Sequence, residues 1–180
     1  KIPLDSKINE ASINSKKIKK NDIFFAIKGK KNDGNNFIKE SLDKGASFAV
    51  VNKIDRSTKM SKQLLVKDSL ISLTNISKKI RLNSLAKIIA ITGSCGKTSL
   101  KELLGNVFGK ISKVSYSPKS YNNKYGVPLS IFNINKHDDF NIFEIGMDKK
   151  GEIYKLSKIV KPEIAVITNI SAAHFKNFNT

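Results

Sequence analysis

Residues 88–99 read IIAITGSCGKTS, an apolar run that stops at Gly93 and continues with glycine, lysine and hydroxyl side chains. The run predicts a buried strand, and the helix-prone LKELL at 100–104 predicts a helix directly after a tight loop. Such a loop brings unpaired backbone N–H groups and the positive end of a helix to one point. Residues 93–99 are therefore a candidate phosphate site.

The loop is a shortened form of the phosphate-binding pattern G-x-x-x-x-G-K-[ST], here G-x-x-G-K-T. Its lysine would place a charge on the β- and γ-phosphates of a nucleotide, and its threonine would offer a hydroxyl to Mg²⁺. The alternative is a glycine turn with a solvent-facing lysine, in which the cysteine is merely a tolerated small residue. The predicted nucleotide-binding residues are Gly93, Ser94, Cys95, Gly96, Lys97, Thr98 and Ser99.

Strands and helices alternate before this loop, which predicts an α/β fold. Apolar runs at 23–27, 48–51 and 64–66 are typical of short buried strands. One helix is predicted to end at Gly45, and a second to begin after an N-cap at Asp68. The core-facing stripe of the second helix is expected at Leu70, Leu73, Ile76 and Ile80.

The same alternation continues after the loop and predicts a mostly parallel sheet with helices on its faces. The expected strands and helices are 87–92, 98–109, 112–115, 124–132, 140–145, 151–159 and 163–168. Ligands bind such sheets at the carboxyl ends of the strands. Glu144 and residues 169–174 fall at such ends, as the phosphate loop does.

The segment LNSLA at 82–86 precedes a new strand and predicts a boundary between two domains, 1–84 and 85–180. The first would be a small α/β domain and the second an incomplete P-loop ATPase domain. No apolar run approaches the roughly 18 residues that span a bilayer, so we expect no membrane association. The single cysteine excludes an internal disulfide and is compatible with the cytoplasm.

The net charge of +18 favours polyanionic small substrates over nucleic acid. All but two of the 33 basic residues are lysines scattered along the chain, the exceptions being Arg56 and Arg81. Arginine forks and interleaved aromatic residues, which read bases and single strands, are nearly absent. Specific nucleic-acid binding is therefore not expected.

ITGSCGKTSLKELL at 91–104 resembles the ATP loop of the Mur ligases, which build the peptide stem of bacterial peptidoglycan. Within that family the resemblance is to the members that add D-alanyl-D-alanine. Four further segments carry it in the same order: INSKKIKKNDIFFAIKGKKNDGNNFI at 13–38, YNNKYGVPLS at 121–130, FEIGMDKKGEI at 143–153 and ITNISAAHFKNF at 167–178. The likeness covers nearly the whole chain.

The resemblance implies an ATP- and Mg²⁺-dependent amide ligase, which we expect to be a cytoplasmic monomer. ATP would phosphorylate the terminal carboxylate of a UDP-N-acetylmuramoyl-tripeptide, and the amine of D-Ala-D-Ala would attack the acyl phosphate. Such phosphoryl transfer depends mainly on positioning and charge neutralisation. The implied catalytic residues are Lys97, Glu144 and His174, and the implied metal ligands are Thr98, Glu144 and His174.

On the substrate side, Asn122 and Asn123 match family asparagines, and Ser15 and Lys16 match a Ser-Arg pair near the UDP moiety. Both asparagines also fit a role as turn formers. Asn14 replaces the aspartate of the family's Asp-Ser-Arg motif. Lysine in place of arginine cannot reproduce a bidentate fork, so the UDP-sugar would bind there with a different geometry.

Simpler interpretations exist for the other candidates. Glu144 also fits a helix cap or a solvated carboxylate, and His174 fits an exposed polar side chain, as we expect for His137. The lysine-rich stretch 16–20 is more typical of a solvated face than of a diphosphate site.

Two functional alternatives remain: another Mur ligase or a folylpolyglutamate-synthase-like ligase, and a nucleotide-binding module without ligase activity. YNNKYGVPLS argues against the first. The chain begins at Lys1 and ends inside the central domain of a three-domain family, so we expect a partial chain. Alone, it should bind nucleotide weakly and not form the amide bond.

Overall fold

The computed structural model describes residues 7–29 and 32–171. The chain forms two compact units, Lys1–Asn75 and Ile76–Thr180, so the division lies inside a long helix, Ser69–Asn83. The predicted domains, 1–84 and 85–180, and the roles assigned to them stay predictions. Among the described residues, no helix combines the length and the apolar character needed to cross a membrane.

The described part of the first unit contains a four-stranded parallel sheet. In sheet order its strands are β1 (Ala11–Ser12), β2 (Ile23–Phe25), β3 (Phe48–Val51) and β4 (Gln63–Leu65). Helix α1 (Ile38–Asp43) packs on the sheet and ends before Gly45, whose φ of +101° is the left-handed conformation that terminates helices. The apolar runs thus predicted three strands, whereas the two-residue β1 has no apolar run of its own.

Helix α2 (Ser69–Asn83) begins as predicted, because the N–H of Ile71 donates to the Asp68 carboxylate at 2.9 Å. The predicted core-facing stripe is confirmed at Leu73, which is fully buried, but is wrong at Ile76, which is 38% exposed. The buried positions of α2 recur every four residues and are Ser69, Leu73, Ser77 and Arg81. Polar side chains can occupy this face because they are bonded: Ser77 Oγ donates to the carbonyl of Pro128 at 2.7 Å.

The described part of the second unit contains another four-stranded parallel sheet, in the order β6-β7-β5-β8. Its elements along the chain are β5 (Lys87–Thr92), α3 (Lys97–Phe108), β6 (Val114–Tyr116), α4 (Gly126–Phe132), β7 (Phe140–Glu144), α5 (Glu152–Val160) and β8 (Ile164–Ile167). Helix α3 packs on one face, and α4 and α5 pack on the other. The predicted α/β fold is confirmed.

This topology gathers the ends of four strands. Because the strands are all parallel, the residues that follow Thr92, Tyr116, Glu144 and Ile167 lie at one edge of the sheet. Strand β6 lies later than the predicted 112–115, because the turn after α3 continues to Ser112, whose N–H bonds the carbonyl of Phe108 at 2.9 Å.

Arg81 connects α2 to the end of α5. Its Nε donates to the carbonyl of Val160, and its terminal nitrogen donates to the carbonyl of Lys161, each at 2.7 Å. The same terminal nitrogen lies 2.6 Å from a Glu163 carboxylate oxygen, and the other oxygen accepts the N–H of Ile88 at 2.7 Å. Burial raises the pKa of Glu163, but the bonds from Ile88 and Arg81 outweigh it and lower that pKa overall.

We expect Arg81→Met to lower the free energy of unfolding by about 2–3 kcal/mol, because it leaves helix-end carbonyls and a carboxylate without their donor. Urea unfolding at pH 7 measures the change, and Arg56→Met, at an exposed arginine, is the control. Since folding lowers the pKa of Glu163, its contribution is present above the unfolded pKa of about 4.3 and is lost in more acidic solution. The gap between wild type and Arg81→Met should therefore narrow below about pH 4. Equal losses in both variants would contradict this account.

Candidate phosphate-binding site

The loop between β5 and α3 requires glycine for two separate reasons. Gly93 and Gly96 have φ of +133° and +78°, which side chains rarely allow. A Cβ on Gly93 would also overlap Thr168 Oγ1 and lie 2.9 Å from the carbonyl of Asn169. The loop therefore passes directly against the end of β8, and α3 begins at Lys97.

Thr168 and Asn169, which directly follow β8, bond the first half of the phosphate loop, at Ser94 and Cys95. Asn169 Oδ1 accepts the N–H groups of Ser94 at 3.1 Å and Cys95 at 3.0 Å, and Thr168 Oγ1 donates to the carbonyl of Cys95 at 2.6 Å. These two amides are thus bonded within the protein, and an anion would meet the amides at the start of α3 first. Sequence reasoning missed Thr168 as a site residue, although its position after a strand end was a signal.

The Lys97 ammonium lies over the phosphate loop, residues 93–99. Its Nζ donates to the carbonyls of Gly93 at 2.7 Å and Ser94 at 3.2 Å, and the residue is half-buried. The ammonium is thus directed at the loop carbonyls, whereas the simpler alternative placed it in solvent. Phosphate oxygens are stronger acceptors for an ammonium than neutral carbonyls are, so a bound phosphate would compete for these donors.

Glu144, at the end of β7, is the buried carboxylate of the site, with an exposure of 1%. One of its oxygens accepts the hydroxyl of Thr98 and the other accepts the side-chain amide of Asn122, both at 2.7 Å. Its own N–H donates to Ser117 Oγ at 3.2 Å. The interpretations as a helix cap and as a solvated carboxylate are both wrong. The structure brings Thr98, Asn122 and Glu144 together beside the phosphate loop.

The side chain of Asn123 makes different hydrogen bonds from that of Asn122. Its Oδ1 accepts the N–H groups of Tyr125 and Gly126, each at 3.0 Å, at the start of α4. This is the turn-forming role that the sequence left open. Asn122, in contrast, also accepts the N–H of Gly146 on its carbonyl at 2.7 Å.

The oxygen ligands at the loop fit Mg²⁺. A threonine hydroxyl and a single carboxylate, supplemented by phosphate oxygens and water, form the hard ligand set that Mg²⁺ prefers, and Thr98 and Glu144 would supply the protein's share. His174 lies outside the described residues, within which no three His, Cys, Asp or Glu side chains form a group able to hold a metal. His137 is exposed, as predicted.

In the first unit, Ser15 is buried and its hydroxyl donates to Glu40 at 2.8 Å, while Lys16 is exposed. Asn14 Oδ1 accepts the N–H of Lys16 at 2.9 Å. Hydrogen bonds from Lys44 and then from Ser15 lower the pKa of Glu40. The Ser15 hydroxyl therefore already has an acceptor within its own unit.

Two protein-family profiles match the chain: "Mur ligase family, catalytic domain" over residues 7–93 and "Mur ligase middle domain" over residues 91–180. The UDP-N-acetylmuramoyl-tripeptide–D-alanyl-D-alanine ligase of Rickettsia prowazekii is 40% identical over 96% of this chain and 38% of its own length. The same ligase of Synechocystis is 34% identical over 94% of this chain. The chain thus spans about 38% of the length of these curated relatives.

Solved structures of MurF ligases are also similar to this chain. MurF from Acinetobacter baumannii superposes with a TM-score of 0.86 at 32% identity, covering 99% of this chain and 39% of that one. The MurF ligase from Thermotoga maritima in complex with ADP gives 0.79 at 32% identity, over 96% of this chain and 40% of that one. A UDP-N-acetylmuramoyl-L-alanyl-D-glutamate–2,6-diaminopimelate ligase, at 17% identity and 0.52, shares the fold.

We expect Gly93→Ala to lower the free energy of unfolding of the second unit by about 3 kcal/mol, since a left-handed φ and an overlap with Thr168 both oppose a Cβ. The matched control is Gly151→Ala, where φ is +84° but a Cβ would meet no atom within 4 Å. That variant should lose only about 1–2 kcal/mol. Thermal or urea unfolding compares the two, and equal losses would show that contact with the end of β8 does not constrain the loop.

Proposed function

We propose that this chain, which belongs to the Mur ligase family, carries the phosphate loop and a metal-binding carboxylate of the ligase that adds D-alanyl-D-alanine to UDP-N-acetylmuramoyl-tripeptide. The observation that carries the proposal is the buried Glu144 carboxylate, bonded to Thr98 beside a loop with the Lys97 ammonium. The names of the relatives, which match nearly the whole chain, support the choice of substrates.

In this proposal the ligase joins its substrates in two steps. The terminal carboxylate of the tripeptide attacks the γ-phosphorus of ATP and forms an acyl phosphate, while ADP leaves. The amine of D-alanyl-D-alanine then attacks the acyl carbon, loses a proton and displaces inorganic phosphate. Because negative charge concentrates on phosphate oxygens in the first step, the protein contributes mainly position and positive charge.

Each residue of the site has a proposed part in that first step. Lys97 moves its donors from loop carbonyls to phosphate oxygens and neutralises them. Thr98 and Glu144, with His174, would hold Mg²⁺, which when bound supplies charge neutralisation at the phosphates. Asn122 orients Glu144 through its amide.

The remaining roles rest on the resemblance. Residues 1–84 would bind the UDP moiety near Ser15 and Lys16, and residues 85–180 would bind ATP. Asn123 would act by shaping the turn before α4, where its side chain is already bonded. We also propose a cytoplasmic location, since ATP and UDP-linked precursors belong to the cytoplasm, and a monomeric state.

We expect Lys97→Ala to weaken ATP binding at least about tenfold, because a charge-assisted hydrogen bond contributes roughly 1.5–3 kcal/mol. Calorimetric titration of the chain with ATP and Mg²⁺ measures this affinity. Lys110→Ala, at an exposed lysine just beyond α3, is the matched control and should bind as the wild type does. An unchanged titration for Lys97→Ala would refute the assignment of the phosphate loop.

Ligase activity is tested in a chimera in which these residues replace the matching segment of the Thermotoga maritima ligase. With ATP, Mg²⁺, UDP-N-acetylmuramoyl-tripeptide and D-alanyl-D-alanine, we expect phosphate release and a product of the corresponding mass. The same chimera with Lys97→Ala should form neither. A chimera that folds and binds ATP without forming product would favour a nucleotide-binding module over a ligase.

A further inference from the structure

Lys101 lies in α3 one turn after the start of the helix, and its side chain is fully buried, with an exposure of 0%. Lysine is almost never fully buried unless it is paired. Its Nζ donates to the carbonyl of Ser117 at 2.6 Å and to the carbonyl of Lys119, and lies 3.0 Å from a Glu102 carboxylate oxygen. All three ammonium hydrogens therefore have an acceptor.

The two carbonyls belong to residues 117–122, the segment that follows β6. Lys119 holds a φ of +49°, a left-handed conformation that is uncommon outside glycine. Its carbonyl is one of the two that accept from Lys101, so the ammonium supports the backbone where it is least favourable by itself.

Both ends of this segment contact Glu144. Ser117, with an exposure of 1%, accepts the N–H of Glu144 on its hydroxyl at 3.2 Å. Asn122 donates its side-chain amide to the Glu144 carboxylate at 2.7 Å. Ser117 thus holds the backbone of Glu144, and Asn122 holds its carboxylate. Between these two residues, the carbonyl of Lys119 is bonded to Lys101.

Helix α3 also reaches Glu144 directly, through Thr98. Thr98 and Lys101 are three residues apart and so lie on neighbouring positions of one helix face. The helix that follows the phosphate loop therefore holds Glu144 in two ways, once by the threonine hydroxyl and once through Lys101 and the segment after β6.

We propose that Lys101 is a positioning residue, which fixes residues 117–122 to α3 so that Asn122 and Ser117 hold Glu144 where Thr98 meets it. Its consequence for metal and nucleotide rests on the proposed function. The Glu102 ion pair is secondary, because the Glu102 side chain is 43% exposed and such pairs contribute little.

Hydrogen exchange of the nucleotide-free chain tests the positioning directly. Lys101→Met keeps most of the apolar stem of the side chain, which becomes one atom shorter, but removes its donors. We expect the protection of the Gly146 N–H, which donates to the carbonyl of Asn122, to fall at least about tenfold. The neighbouring N–H of Ile145 donates to Ile91 within the sheet at 2.8 Å and should keep its protection.

Lys110→Met, at an exposed lysine, should change neither amide. Unchanged protection of Gly146 in Lys101→Met, or an equal fall at Gly146 and Ile145, would overturn the proposal, since the second result describes general destabilisation. If Lys101→Met does not fold, Lys101→Gln keeps an amide NH₂ donor group and should give a smaller fall at Gly146 with the same selectivity.

A second measurement tests whether Lys101 affects the Mg²⁺ dependence of ATP binding. The ratio of ATP affinities with and without Mg²⁺ should fall about fivefold or more in Lys101→Met, yet not change further when Lys101→Met is added to Asn122→Ala, because both act through one segment. Independent, multiplying effects of Lys101→Met and Asn122→Ala on this ratio would contradict a shared action through residues 117–122. Absence of any Mg²⁺ effect in the wild type would instead count against the proposed function, while the exchange result still decides the role of Lys101.

Discussion

A buried carboxylate is the constraint on which the second unit depends. Removing an ionised glutamate from water is costly unless its oxygens are bonded, and Glu144 meets that condition with one hydroxyl and one amide. Those donors come from different elements, Thr98 from α3 and Asn122 from the segment after β6. The fold must therefore bring three strand ends together to bury this single side chain.

The phosphate loop is bound into the same edge of the sheet. Thr168 and Asn169, after β8, bond the front of the loop, and Gly93 provides the space in which they approach it. A loop held in this way is organised before an anion arrives, which reduces the ordering needed on binding. In the proposed function, the Lys97 ammonium then exchanges neutral acceptors for charged ones.

Local patterns predicted the strand, loop and helix at 87–108, because an apolar run, two glycines and a helical period are all readable over short distances. They failed where burial depends on distant partners. Ser77 and Arg81 line the buried face of α2 because Pro128 and Val160 accept from them, and no local period contains that information. Lys101 was unrecognisable for the same reason, since an isolated lysine in a helix normally indicates a solvated face.

The most direct test of the central claim compares Mg²⁺ dependence of ATP binding in wild type and Glu144→Gln, by calorimetric titration with Mg²⁺ and with excess chelator. Glutamine keeps the size of the side chain and an acceptor for Thr98, but it removes the charge that would hold the metal. We expect the affinity without Mg²⁺ to stay within about twofold while most of the Mg²⁺ enhancement is lost. Full enhancement in Glu144→Gln would contradict the claim that this buried carboxylate forms the metal side of the phosphate site.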